Sequence, residues 1–195
     1  MNKSTRSPSN NIVPHPRFGS ESLNSGVQGI SREAILRSYW GYGSEQIFPA
    51  SVLMADANKQ NYSVFPRQCY VDMLKTCRSC ARPFIFFAAE QKHWFEVLGF
   101  YVDADCVHCP ECRQNRRAAK RQVQRYSQLV QIAKPTNLEL QELVDIANQL
   151  FAQGTLRNLA RLGQLKSRAS QHIPDYAGTA ALAHALQQAQ ATKKA

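Results

Sequence analysis

The chain has no run approaching the 18 or so consecutive apolar residues that a membrane helix needs. A membrane partner is therefore not expected. The amino-terminal run MNKSTRSPSNN has no apolar segment of the kind a secretory leader carries, so a reducing, cytoplasmic setting is expected. No Gly-rich phosphate loop, His-Glu-x-x-His motif or fixed-period repeat occurs. Nor does any Cys–His pairing carry a nucleophile signature. With no constellation to support a reaction, the expectation is a protein that is not an enzyme and has no small-molecule substrate.

One sign of charge is also missing locally. The chain carries a formal charge of +10. Residues 69–112 hold four basic and six acidic side chains, whereas residues 113–134 hold seven basic side chains and no acidic one. Residues 113–134 therefore read either as a phosphate-tracking stripe or as a solvated basic face whose seam packs on its neighbours. Ordinary solvated helices mix signs to gain i,i+4 pairs, and the absence of any acid keeps the first reading open.

Two Cys-x-x-Cys turns answer each other across a spacer: Cys77-Arg78-Ser79-Cys80 and Cys109-Pro110-Glu111-Cys112. A structural zinc takes four soft ligands in a closed tetrahedron, and each such turn supplies two thiolates. Cys106 makes a second pairing conceivable, Cys106 with Cys109. Pro110 favours Cys109 with Cys112, because its fixed φ suits a tight turn, whereas Cys106 is followed by the β-branched Val107. Cys106 and His108 are reserve ligands, and Cys69 reads as a buried free thiol. A redox pair belongs at a helix N-terminus, but Cys80 is followed by Ala-Arg-Pro and the strand-like Phe84–Phe87. A disulfide framework belongs to exported chains. A deaminase site needs His-x-Glu with Pro-Cys-x-x-Cys, and here the proline lies inside the pair. One structural Zn2+ is the expected cofactor.

The combination Cys77-x-x-Cys80, Pro83-Phe84-x-Phe86, Glu90-Gln91-Lys92-x-Trp94 and Cys109-x-x-Cys112-Arg113 resembles the bacterial "probable zinc-ribbon domain" family. Upstream, Ala55-Asp56, Lys59-Gln60 and Tyr70-x-Asp72 fit the lead-in of such proteins. The resemblance spans about residues 47–117. It implies a small zinc ribbon with Cys77, Cys80, Cys109 and Cys112 as ligands, and no established biochemical activity. Ala81 departs from the glycine that zinc turns often carry, and Cys106 is extra.

Taken in order, residues 1–29 are rich in Ser, Asn, Pro and Gly and are expected to be disordered. Residues 30–68 read as a short helix capped by Ser31, then an irregular docking segment from Ile47 to Pro66. Residues 69–112 form the zinc module: a strand from Cys69, a buried strand at Phe84–Phe87, and a helix over Ala89–Leu98 ended by Gly99. Residues 113–134 read as a basic amphipathic helix with a seam of Ala119, Val123, Tyr126, Val130 and Ala133. Arg113, Arg116, Arg117, Lys120, Arg121 and Arg125 cover about half the circumference opposite that seam. Residues 135–195 read as a helical bundle: a helix capped at Thr136 or Asn137 and stopped by Gly154, another from Thr155, and an Ala-rich one from about Asp175 to Gln190. The fold class is α+β: a small zinc ribbon with an inserted helix, a mainly helical C-terminal bundle, and a disordered N-terminus. The functional expectation is a non-catalytic zinc module that binds nucleic acid through those six cations. The alternative is a zinc-stabilised protein–protein adaptor.

Overall fold

The computed structural model describes residues 11–194. The chain divides into two compact units after Asn115.

The first unit is built on three antiparallel strands in the order β1-β2-β3: Gln46–Met54, Cys69–Thr76 and Pro83–Phe86. Successive strand residues face opposite sides, and β2 is buried on both. Val71 and Met73 join Phe84 and Phe86 of β3 in the main core with Ile35 and Tyr42. Tyr70, on the other face, packs with Ala88 and Phe95. Ile35 belongs to helix α1, Arg32–Ser38, whose N-cap Ser31 accepts a hydrogen bond from the Ala34 N–H, as its sequence predicts. The inserted helix is present as α2, Ala88–Lys92, continued by a π-helical turn over His93–Val97, and Gly99 follows at φ 66°.

Two expectations change in this unit. The segment expected to be irregular contains the nine-residue strand β1. Its pairing with β2 runs from Gln46↔Leu74 to Phe48↔Asp72, then resumes at Leu53↔Tyr70 after a bulge. Pro49, which has no N–H to donate, lies in that bulge, and the extra residues break the alternation by which a strand is recognised. The tail expected to be disordered over 1–29 lies outside the described residues up to residue 10, but beyond that it is pinned to the sheet. Val13 is 3% exposed and donates its N–H to the Pro83 carbonyl at 2.8 Å. The Leu23 N–H donates to buried Asp72, which also accepts from Ala88 at the start of α2. One apolar side chain and a few backbone bonds to a preformed edge hold a segment whose composition alone argues for disorder.

The second unit is helical. Helix α3, Pro110–Val130, begins in the first unit and continues into this one, followed by α4, Asn137–Ala152, α5, Leu159–His172, and α6, Ala177–Lys194. Leu129 of α3 packs with Leu140, Val144 and Ala147 of α4, Leu162 and Ala169 of α5, and Leu182 and Leu186 of α6. The expected bundle is present, with shifted details. Helix α5 starts at Leu159 and not at Thr155, because Asn158 caps it and the chain before it closes α4: Gly154 takes φ 70°, and the N–H groups of Thr155 and Leu156 return to the Leu150 carbonyl. The seam of α3 is displaced. Val123 and Val130 are exposed, while Tyr126 and Leu129 enter the core. No helix among the described residues is long and apolar enough to cross a membrane.

Candidate zinc centre and basic helix

The first Cys-x-x-Cys pair occupies the turn between β2 and β3. Cys77 directly follows β2, its N–H donates to the Arg82 carbonyl at 3.0 Å, and its carbonyl accepts from Ala81 at 2.9 Å. Ala81 sits at φ 57°, the left-handed conformation, which explains why glycine is usual there. The second pair rides on a helix start. Cys109 immediately precedes α3, Pro110 is its first residue, and the Cys109 sulfur accepts from the Cys112 N–H at 3.5 Å, as a capping side chain does.

These turns bring four sulfurs together. The Sγ atoms of Cys77, Cys80, Cys109 and Cys112 all lie within 4.8 Å of one another, and Cys80 and Cys109 are 3.8 Å apart. Thiolates about 2.3 Å from a tetrahedral zinc are separated by about 3.8 Å, so the cluster has zinc-site dimensions. Its electrostatics ask for a cation. Burial pushes the Cys77 thiol up, but the N–H groups of Cys109, Cys80 and Ser79 outweigh it and bring the thiol down to about 5. The backbone and guanidinium of Arg82 hold Cys80 below the usual range. Cys112 is pushed up to about 12 by burial and by the three neighbouring sulfurs. Four sulfurs this close ionise together only around a divalent cation, and this donor set suits zinc. One structural Zn2+ is held by these four cysteines, with no coordination position left for a substrate.

The reserve ligands stand outside the group. Cys106 is buried, turns its thiol toward the His108 carbonyl, and is pushed up to about 12, chiefly by burial. The His108 Nδ1 lies 3.1 Å from the Ser79 hydroxyl, and the Arg78 N–H donates to the Val107 carbonyl. This loop therefore ties the two turns to each other. Arg82 also reaches Glu111 of α3 across the site.

The triplet Glu90-Gln91-Lys92 braces the module. Gln91, fully buried, donates to the carbonyls of Val71 and Phe86. Lys92 donates to the Met54 carbonyl. Glu90 clamps Arg113 through two hydrogen bonds of 2.5 and 3.2 Å, while that guanidinium lies 5.2 Å from the Trp94 ring centroid.

That clamp removes Arg113 from the expected phosphate-binding set, and Arg125 is paired at both nitrogens with Glu142. Arg116, Arg117, Lys120 and Arg121 remain. All four are exposed, none makes an ion pair among the described residues, and they fall within a 140° arc at 100° per residue, opposite Tyr126 and Leu129. A group that sequence reasoning missed is buried Arg67. It donates to the Val102 carbonyl and is sandwiched between the rings of Tyr39 and Phe95, 3.7 and 4.3 Å from their centroids. No local pattern announces such a sandwich, because its rings lie 28 residues away on either side.

Residues 71–121 match the family model described as "Probable treble clef domain". The placement of the second cysteine pair on a helix start fits that description. No curated protein and no solved structure matches the chain. Over residues 71–121, this chain is similar to a zinc-binding treble clef.

Proposed function

We propose that the zinc centre is purely structural and that it presents α3 as a phosphate-gripping helix for nucleic acid. The observation that carries this reading is the row Arg116, Arg117, Lys120 and Arg121, exposed and without an acidic partner among the described residues. Contacts of this kind release counterions, so affinity falls with salt in proportion to the number of phosphates engaged. Four contacts on duplex DNA give a log–log slope of about −3.6. A salt series with the zinc-loaded chain measures it. The double variant Arg117→Glu with Arg121→Glu is expected to abolish binding without altering zinc content. Failure of the unaltered chain to bind at low salt would overturn the reading.

A second reading, a protein–protein adaptor, is favoured by one feature. Trp40 and Phe65 are 77% and 81% exposed and border a groove of about 360 Å³ shared with Tyr39, Pro66 and Tyr101. Aromatic surface of this kind is typical of docking sites. On that reading, reversing the α3 charges leaves partner binding intact, while Trp40→Ala removes it.

A further inference from the structure

We infer that the aromatic groove of the first unit is an arginine site. It takes the guanidinium of an arginine on a peptide segment of a partner protein, stacked on Trp40 and paired with the Asp103 carboxylate. This rests on the adaptor reading of the groove and is independent of the α3 reading.

Three pieces of chain build the groove. Tyr39 and Trp40 come from the end of α1, Phe65 and Pro66 from the loop before β2, and Tyr101 and Asp103 from the segment leading to the second zinc turn. These pieces are tied together. The Ser63 and Tyr101 hydroxyls lie 2.5 Å apart, and the Val102 N–H donates to the Asn61 carbonyl at 3.0 Å. The Trp40 indole N–H donates to the Asp103 carboxylate at 3.2 Å, and buried Arg67 stacks on the Tyr39 ring. A surface fixed in this way loses little freedom when a ligand docks.

Charge decides what the groove takes. Asp103 is exposed and makes no ion pair among the described residues, whereas Asp105 is held by Lys75 at 2.7 Å. The Trp40 N–H uses one of about four acceptor positions on the Asp103 carboxylate. Burial pushes the Tyr39 hydroxyl up against the pull of Arg67, and the Asp103 carboxylate beside it pushes the same way as burial. Arg37 also lines the groove, but its Nε is held on the Glu33 carbonyl of its own helix at 3.3 Å.

A phosphate meets Asp103 as a like charge. A purely apolar side chain covers the carboxylate without replacing its water, which costs free energy. A cation satisfies it. The lysine ammonium is a strongly hydrated point charge, whereas guanidinium is planar, more weakly hydrated, stacks on aromatic faces and offers paired N–H groups to a carboxylate. The protein already uses this chemistry once, in the stacking of Arg67 between Tyr39 and Phe95. A volume of about 360 Å³ lies at the low end for ligand sites and suits one side chain with its flanking backbone.

The test follows the indole N–H resonances of the two tryptophans while the zinc-loaded full chain is titrated with the capped peptide Gly-Ser-Arg-Gly-Ser. Counterparts carry lysine, citrulline or leucine in place of the arginine. The arginine peptide is expected to move the Trp40 resonance saturably and to leave Trp94 in place. Asp103→Asn, whose side-chain oxygen still accepts from Trp40, is expected to weaken the arginine peptide by about tenfold. The three counterparts bind more weakly by a similar factor. Should Asp103→Asn displace the Trp94 resonance, Trp40→Leu carries the test, read as lost broadening of the peptide's arginine signals. Equal binding of the leucine peptide, or no weakening in either variant, overturns the arginine assignment and leaves the adaptor reading standing. A Trp40 shift caused by a single-stranded oligonucleotide and by none of the peptides makes the groove a base-stacking surface and overturns both. No Trp40 shift with any probe at millimolar concentration also removes both.

Discussion

Ala81 holds the left-handed conformation in the turn that presents Cys77 and Cys80. For a residue with a Cβ this costs about 1–2 kcal/mol. Glycine adopts it freely but loses more chain entropy on folding, by about 0.5–1 kcal/mol. Ala81→Gly is therefore expected to stabilise the zinc-loaded protein by about 0.5–1 kcal/mol, read as a raised denaturation midpoint with unchanged zinc stoichiometry. A lower midpoint would show that Ala81 is not held in this conformation. Arg113 teaches a different lesson at the same scale. Its place in a row of arginines four apart made it look like its neighbours. Its carboxylate partner, Glu90, lies 23 residues back and its ring partner, Trp94, 19 back, so the row says nothing of its burial.

Among the elements, α4 was the most legible. Thr136 accepts from the Glu139 N–H and Glu139 reaches back to the Thr136 N–H at 2.8 Å, a capping box written in four consecutive residues. Thr136→Ala is expected to cost about 1 kcal/mol, measured as a shift in the urea midpoint of the helical signal. No shift would mean the box contributes nothing. The zinc turns, the strand β3 and the inserted helix were legible for the same reason: each is specified by residues a few positions apart. Strand β1 was not, because its bulge and Pro49 scramble a two-residue period that only the pairing with β2 restores. The buried face of α3 was legible only in part: Tyr126 belongs to the expected seam, but Ala119, Val123 and Val130 imitate one, and Leu129 lies outside it. The bundle takes Tyr126 and Leu129, and nothing within the helix decides between two faces so close in angle. The four ligands of the zinc centre could be read from spacing. The setting of the second pair could not, because it depends on Cys109 falling one residue before a helix and not inside a hairpin.

The molecule as a whole joins two units stabilised by different means. The first unit's strands and short helices are expected to draw on a metal, whose binding is worth about 10–16 kcal/mol in apparent terms for small zinc modules. The second has an aliphatic core of Leu129, Leu140, Val144, Leu162 and Leu182 and needs none. Both tryptophans, Trp40 and Trp94, belong to the first unit. A strong chelator is expected to shift tryptophan emission to the red while most of the helical circular dichroism survives. Zinc loss with unchanged emission would show that the first unit stands without the metal. The long helix links these two kinds of stability in one element. From Gln114 to Arg121 every side chain of α3 is exposed, so no packing holds that stretch in shape. Starting a helix is the unfavourable step, with an initiation factor of roughly 10⁻³, whereas extending one is nearly free. Zinc fixes the first turn through Cys109 and Cys112, and the aliphatic core fixes the last through Leu129. The exposed cations therefore lie on a propagation segment between two nuclei, and zinc acts on them without touching them, as the template that keeps their spacing helical.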